Sequence, residues 1–152
     1  MADDLQALLD EREIIGVALR YARCMDARDH EGFLSCFTED AAFGFPGRQV
    51  RGHRKIGLSV DAGARVFSDG THQTTNFAVT IDGDRAEMHS YYVATQVVRE
   101  PVRSPLFVMA GVYDDVLVRT QQGWKISSRQ LTNRWIQGDP EIVAALGLSE
   151  VL

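Results

Sequence analysis

Cysteine, proline and excess positive charge are all scarce in this 152-residue sequence. The two cysteines, Cys24 and Cys36, form no Cys-x-x-Cys and no His/Cys cluster, so a zinc framework is excluded. Both fall among apolar helical positions, where a free thiol behaves as a small hydrophobe. They read as buried, reduced thiols, with a disulfide between them left open. Lys and Arg number 16 against 21 Asp and Glu, a net charge of −5 that does not suit a phosphate-backbone partner, and no nucleic acid is expected. No run reaches the ~18–20 apolar residues of a membrane helix. The opening Met-Ala-Asp-Asp-Leu-Gln lacks the basic start and apolar stretch of a signal peptide. A soluble, cytoplasmic protein with no membrane partner is therefore expected. A Gly-rich phosphate loop, a nucleophile elbow, a His-Glu-x-x-His helix and a dinucleotide fingerprint are also missing. Asp82, Asp84 and Asp114-Asp115 lack the ligand spacing of a calcium loop, and neither metal nor cofactor is expected.

What is present is an ordinary globular composition, 45% hydrophobic and 24% charged, without linker or repeat, so residues 1–152 read as one domain. Apolar residues at helical spacing predict a helix over 4–27, and a second over 31–37 with Asp29 as its N-cap. Phe43, Phe45 and Val50 suggest two short strands around Pro46-Gly47, and a third helix is expected over 53–66. From Thr71 the pattern turns to strands, over 71–81, 85–99, 106–119 and 124–137. The breaks fall at Asp82-Gly83, at 100–105 and at Gln121-Gln122-Gly123. Such long strands require bulges and curvature. Asp139-Pro140 opens a short last helix over 141–146. The layout is α+β, a cone-shaped curved antiparallel sheet wrapped around N-terminal helices, whose open mouth suits a small molecule.

The residues out of place lie in the first helix and the first long strand. On a helical wheel Ile15, Leu19, Ala22 and Asp26 share one stripe, beside Ile14, Ala18, Tyr21 and Met25. A carboxylate at the end of an apolar face is either solvated or holds a partner in a cavity, because unpaired buried charge costs several kcal/mol. His72 is the candidate partner, on the same alternation face as Thr74, Asn76, Ala78 and Thr80. Beside a carboxylate its imidazole would be held in one tautomer and steadied when cationic. His30 and His53 sit in polar helix-entry segments, and His89 stands on a strand face read as solvated. Arg129 is either a solvated rung or a fixed cation for developing negative charge. Phe43, Phe45, Tyr92, Phe107 and Trp135, with Asn76, are the candidate substrate-binding residues, and Tyr91, Tyr113 and Trp124 are further aromatics of the same stretch.

Several of these residues fall into a known pattern. The Arg20-Tyr21-Ala22 helix ending at Asp26, Phe37-x-x-Asp40-Ala41-x-Phe43 and Gly52 before the third helix carry its first half. His72-x-x-x-Asn76, Gly111-x-Tyr113-x-Asp115 and Gly123-Trp124-Lys125-Ile126 leading to Arg129 carry its second. Over nearly its whole length the chain resembles the SnoaL-like branch of the nuclear transport factor 2-like superfamily. Within it the chain looks most like bile-acid 7α-dehydratase, scytalone dehydratase and hexachlorocyclohexane dehydrochlorinase. That resemblance implies a cofactor-independent lyase or isomerase acting on a small hydrophobic, cyclic molecule. His72 would take a carbon-bound proton, Asp26 would orient it, Tyr21 would donate to a carbonyl or departing hydroxyl, and Arg129 would add electrostatic stabilisation. A Tyr rather than a Lys at position 21 is similar to the dehydratases and departs from the dehydrochlorinase; Tyr92 or Gln96 lies where the scytalone enzymes carry a second His. A polyketide cyclase, or a binding or assembly module like dioxygenase small subunits, remains the alternative. A homo-oligomer, dimer or trimer, is also implied, with Val108, Ala110, Val112, Val116 and Val118 as an apolar face for it.

Overall fold

A computed structural model of the chain describes residues 2–101 and 103–148. Val102, inside the break expected at 100–105, and the first residue of the opening segment lie outside the described residues. The elements run α1 (Ala2–Ala27), α2 (His30–Ser35), β1 (Phe37–Phe45), β2 (Arg48–Arg51), α3 (His53–Val66), β3 (Phe67–Asp82), β4 (Arg85–Val98), β5 (Leu106–Thr120), β6 (Gly123–Gln137) and α4 (Pro140–Ala145). Among the described residues, no helix is long and apolar enough to cross a membrane.

The sheet order is β2-β1-β6-β5-β4-β3, a curved and unclosed surface whose two ends are β2 and β3. β3 to β6 form the expected antiparallel meander, while β1 joins β6 in parallel. The β3–β4 turn is displaced from its expected place: Asp82 still pairs with Arg85, so Gly83-Asp84 make the two-residue loop, with Gly83 at φ 58.

α1 lies along the concave side of the sheet through Ile14, Val17, Ala18, Tyr21, Ala22 and Cys24, all buried. The core-facing line is thus Ile14–Ala18–Tyr21. The stripe through Ile15 and Leu19 sits at its margin, and Leu19 is 41% exposed. α1 ends where Arg28 turns into the left-handed region at φ 55 and the Asp29 N–H returns to the Cys24 carbonyl at 2.9 Å. Asp29 then caps α2, its carboxylate accepting from the Gly32 N–H at 2.9 Å.

One bulge alters the reading of β3. Register slips between Thr75 and Ala78, with Asn76 at φ 55, so the inward face passes from His72 and Thr74 to Phe77, Val79 and Ile81. Asn76, Ala78 and Thr80 are exposed, and strict alternation from His72 does not hold beyond Thr74.

Candidate functional site

The C-terminal end of α1, α2, α3 and the concave sheet enclose a cavity of about 550 Å³, closed on one side by Leu146 and Leu148. This is within the ~300–1,000 Å³ range of small-molecule sites. Its apolar wall combines aromatic and flexible side chains, Phe33, Phe43, Phe45 and Phe67 beside Met25, Met109 and Leu131. Flat rings and thioethers adapt to apolar ligands of varied outline.

Asp26 and His72 meet in this wall. Asp26 Oδ1 stands 2.7 Å from His72 Nδ1, and the same carboxylate accepts the His72 backbone N–H at 3.0 and 3.2 Å. A carboxylate offers only acceptors, so the shared proton belongs on Nδ1, and in the neutral ring the lone pair is on Nε2. The His72 side chain is 9% exposed and Asp26 is 30% exposed, so the pair is sheltered and still reachable. The approach follows from local structure. The left-handed Arg28 ends α1 just after Asp26, and its guanidinium donates to the Phe67 and Ser68 carbonyls, tying the helix end to the start of β3.

Tyr21 also reaches the cavity, together with Tyr113. Burial pushes both phenols up from their ordinary value, so each is a neutral donor, although the nearby Arg129 works the other way. Arg129 departs from the first of its two readings. It is fully buried, neither a solvated rung nor part of the cavity wall. Its guanidinium is sandwiched between the rings of Tyr21 and Tyr113, 4.2 Å from each, and makes two bonds of 2.7 and 2.6 Å to Asp115. Burial opposes the charge, but Asp115 outweighs it and holds the guanidinium above its ordinary value. Arg129 therefore stands behind Tyr21 rather than beside a ligand.

Of the expected substrate-binding residues, Phe43 and Phe45 line the cavity and four do not. The bulge leaves Asn76 exposed. Tyr92 is buried behind Tyr113, stacked on it at 4.4 Å and bonded to Asn133. Phe107 packs behind Phe67, rings 5.5 Å apart, and Trp135 is 47% exposed away from the cavity. The other histidines are engaged elsewhere: His30 with Asp61 at 3.4 Å on the cavity rim, His53 with the Phe37 carbonyl at 3.2 Å, and His89 with Asp114 at 2.7 Å. Asp115 and Cys24 are additions to the site residues; Asp115 carried a signal as the acidic end of the Gly111-x-Tyr113-x-Asp115 pattern, and β5 sets it opposite Arg129.

Both cysteines are free and buried. Burial pushes the Cys36 thiol up to about 11, and burial with the neighbouring Asp29 carboxylate raises Cys24. A thiol at that level is only about 10⁻³ thiolate at pH 8. Iodoacetamide at pH 8 is thus expected to spare Cys36 in the native protein and to modify both thiols in denaturant. Rapid native labelling of Cys36, read by mass spectrometry, would contradict this placement.

Residues 6–130 match the model of the SnoaL-like domain. A single-residue variant of Rv3472, a protein of unknown function from Mycobacterium tuberculosis, is 29% identical with a TM-score of 0.81, covering 94% of this chain and 88% of its own. A candidate scytalone dehydratase from Novosphingobium aromaticivorans superposes with a TM-score of 0.82 at 20% identity, covering 91% of this chain and 92% of that one. Hexachlorocyclohexane dehydrochlorinase LinA-type3 from Novosphingobium barchaimii does so at 0.79 and 18%, covering 90% and 94%. At such identities the last two show shared fold. No curated protein matches the sequence.

Proposed function

The chain belongs to the SnoaL-like domain family, and from that footing we propose that it is a cofactor-independent lyase (a dehydratase) or isomerase acting on a small hydrophobic, cyclic substrate. The observation that supports this reading is the 2.7 Å Asp26–His72 contact in the wall of a mainly apolar cavity. A base held in one tautomer, sheltered from water and beside flat aromatic faces, suits proton removal from a ring carbon. Two structural neighbours that share the fold bear the names of a candidate scytalone dehydratase and a hexachlorocyclohexane dehydrochlorinase, which is consistent with that use of it.

In the proposed reaction His72 Nε2 takes a proton from the carbon next to one bearing a hydroxyl. The C–H electron pair becomes the new C=C bond as the C–O bond breaks. Tyr21, kept protonated by burial, gives its proton to the departing oxygen, which leaves as water. The phenolate so formed is steadied by Arg129 beneath its ring and is reprotonated from the imidazolium, restoring the site. For isomerisation the imidazolium returns its proton to a different carbon and no bond to oxygen is broken.

A panel of cyclic β-hydroxy ketones tests this. The protein should remove water from, or exchange the acidic C–H of, at least one member in deuterated solvent, as followed by mass spectrometry. Binding of panel members with neither reaction would replace the enzyme reading with a non-catalytic ligand carrier.

A further inference from the structure

We infer that Gln96 is a positioning residue that holds the free nitrogen of the His72 imidazole. Its catalytic meaning rests on the role proposed for His72, whereas its geometry does not. Three observations converge on it. Gln96 Nε2 lies 3.4 Å from His72 Nε2, on the opposite side of the ring from Asp26. Gln96 is the direct cross-strand partner of Gly70, and His72 that of Ala94, so Gln96 and His72 are diagonal neighbours on one face of the β3–β4 pair. At Gly70 the absence of a side chain is what makes room: an added Cβ would collide with Gln96 Oε1 and stand 2.9 Å from its Cδ. The amide lies in the groove left by that glycine, and all three residues line the cavity.

The chemistry of an amide fits both states of the ring. With its proton on Nδ1, the neutral imidazole offers an acceptor at Nε2, and the Gln96 NH₂ group donates to it. After proton uptake Nε2 becomes a donor, and rotation of the amide presents Oε1 to it. A carboxylate here serves only the charged ring, and a hydrocarbon serves neither. Asp26 is the charged group in contact with the imidazole, while Arg28 is committed to the carbonyls of Phe67 and Ser68. Gln96 thus occupies the lone pair and keeps the ring from turning between turnovers, and it gives way when a substrate C–H reaches Nε2.

The test is histidine-selective ¹⁵N NMR of the whole chain without substrate, with His72 assigned by loss of its signals in His72→Gln. In the parent protein, at a pH alkaline enough for the ring to be neutral, Nδ1 should appear protonated and Nε2 should show the upfield displacement of a nitrogen that accepts a hydrogen bond. Gln96→Met, of similar length and unable to donate, should move Nε2 downfield and leave Nδ1 unchanged. Gln96→Glu should give a doubly protonated ring at a pH where the parent ring is neutral. Identical Nε2 signals in the parent and Gln96→Met, or a parent ring protonated at Nε2, would overturn the inference. If neither variant folds, the Gln96 side-chain amide protons decide it, since they must shift in His72→Gln. These spectra need no turnover, so their failure leaves the proposed reaction standing, and an inactive substrate panel leaves the Gln96 clamp standing.

Discussion

Replacing His72 by Gln is expected to lower turnover of a dehydrated or exchanged substrate by about 10²–10⁴-fold, the usual contribution of a positioned base. The fold should persist, because the bond from the His72 backbone N–H to Asp26 does not depend on the side chain. Asp26→Asn should fall into the same range for a different reason. The amide oxygen of the new side chain can still accept the backbone N–H, which turns the amide nitrogen, a donor, toward Nδ1. The ring then places its proton on Nε2, and the base faces the cavity already protonated. The two variants should therefore resemble each other in activity and retain the melting temperature to within a few degrees. Turnover of the panel surviving in His72→Gln would remove His72 from the mechanism. A fully active Asp26→Asn would show that ring orientation is set by other residues.

Asp26 and His72 were legible in sequence because each violates its local pattern: a carboxylate ends an apolar helix, and a histidine enters a β-branched strand. The strands were equally plain, since Val, Ile, Thr and aromatic runs between Gly-containing turns leave little choice of register for a meander. The SnoaL-like resemblance and the curved α+β architecture drawn from those elements both hold. What escaped detection depends on facts no local pattern carries. The bulge at 75–78 adds one unpaired residue and moves Asn76 to the other face, although Thr75, Asn76 and Phe77 look like any strand. The parallel pairing of β1 with β6 joins segments about ninety residues apart, and it is this pairing that sets Phe43 beside Arg129. Gln96 shared its place in the pattern with Tyr92, and only its cross-strand pairing with Gly70 separates the two.

Arg129 shows the same limit from the side of energetics, and removing it should produce the largest loss of stability in the molecule. Arg129→Met leaves Asp115 fully buried with its cation gone, a situation that costs ~3–5 kcal/mol. For a domain of this size that corresponds to a fall in melting temperature of roughly 6–20 °C. Loss of the cation between the Tyr21 and Tyr113 rings adds to it, at about 0.5–2 kcal/mol. Asp115→Leu alone should be similarly damaging, since it strands the guanidinium in the same apolar stack. The double change Asp115→Leu/Arg129→Met should recover most of the loss, because a buried ion pair gains little over well-packed apolar side chains of similar volume. Calorimetry of the three variants checks this, and a single variant melting within two or three degrees (~1 kcal/mol) of the parent would refute it. The folded double variant then separates the two duties of the pair. If Arg129 steadies the Tyr21 phenolate, turnover should drop while Asp26–His72 geometry and Gln96 contacts remain as in the parent protein. Unchanged turnover would mean that the cation only supports the stack of rings behind the cavity.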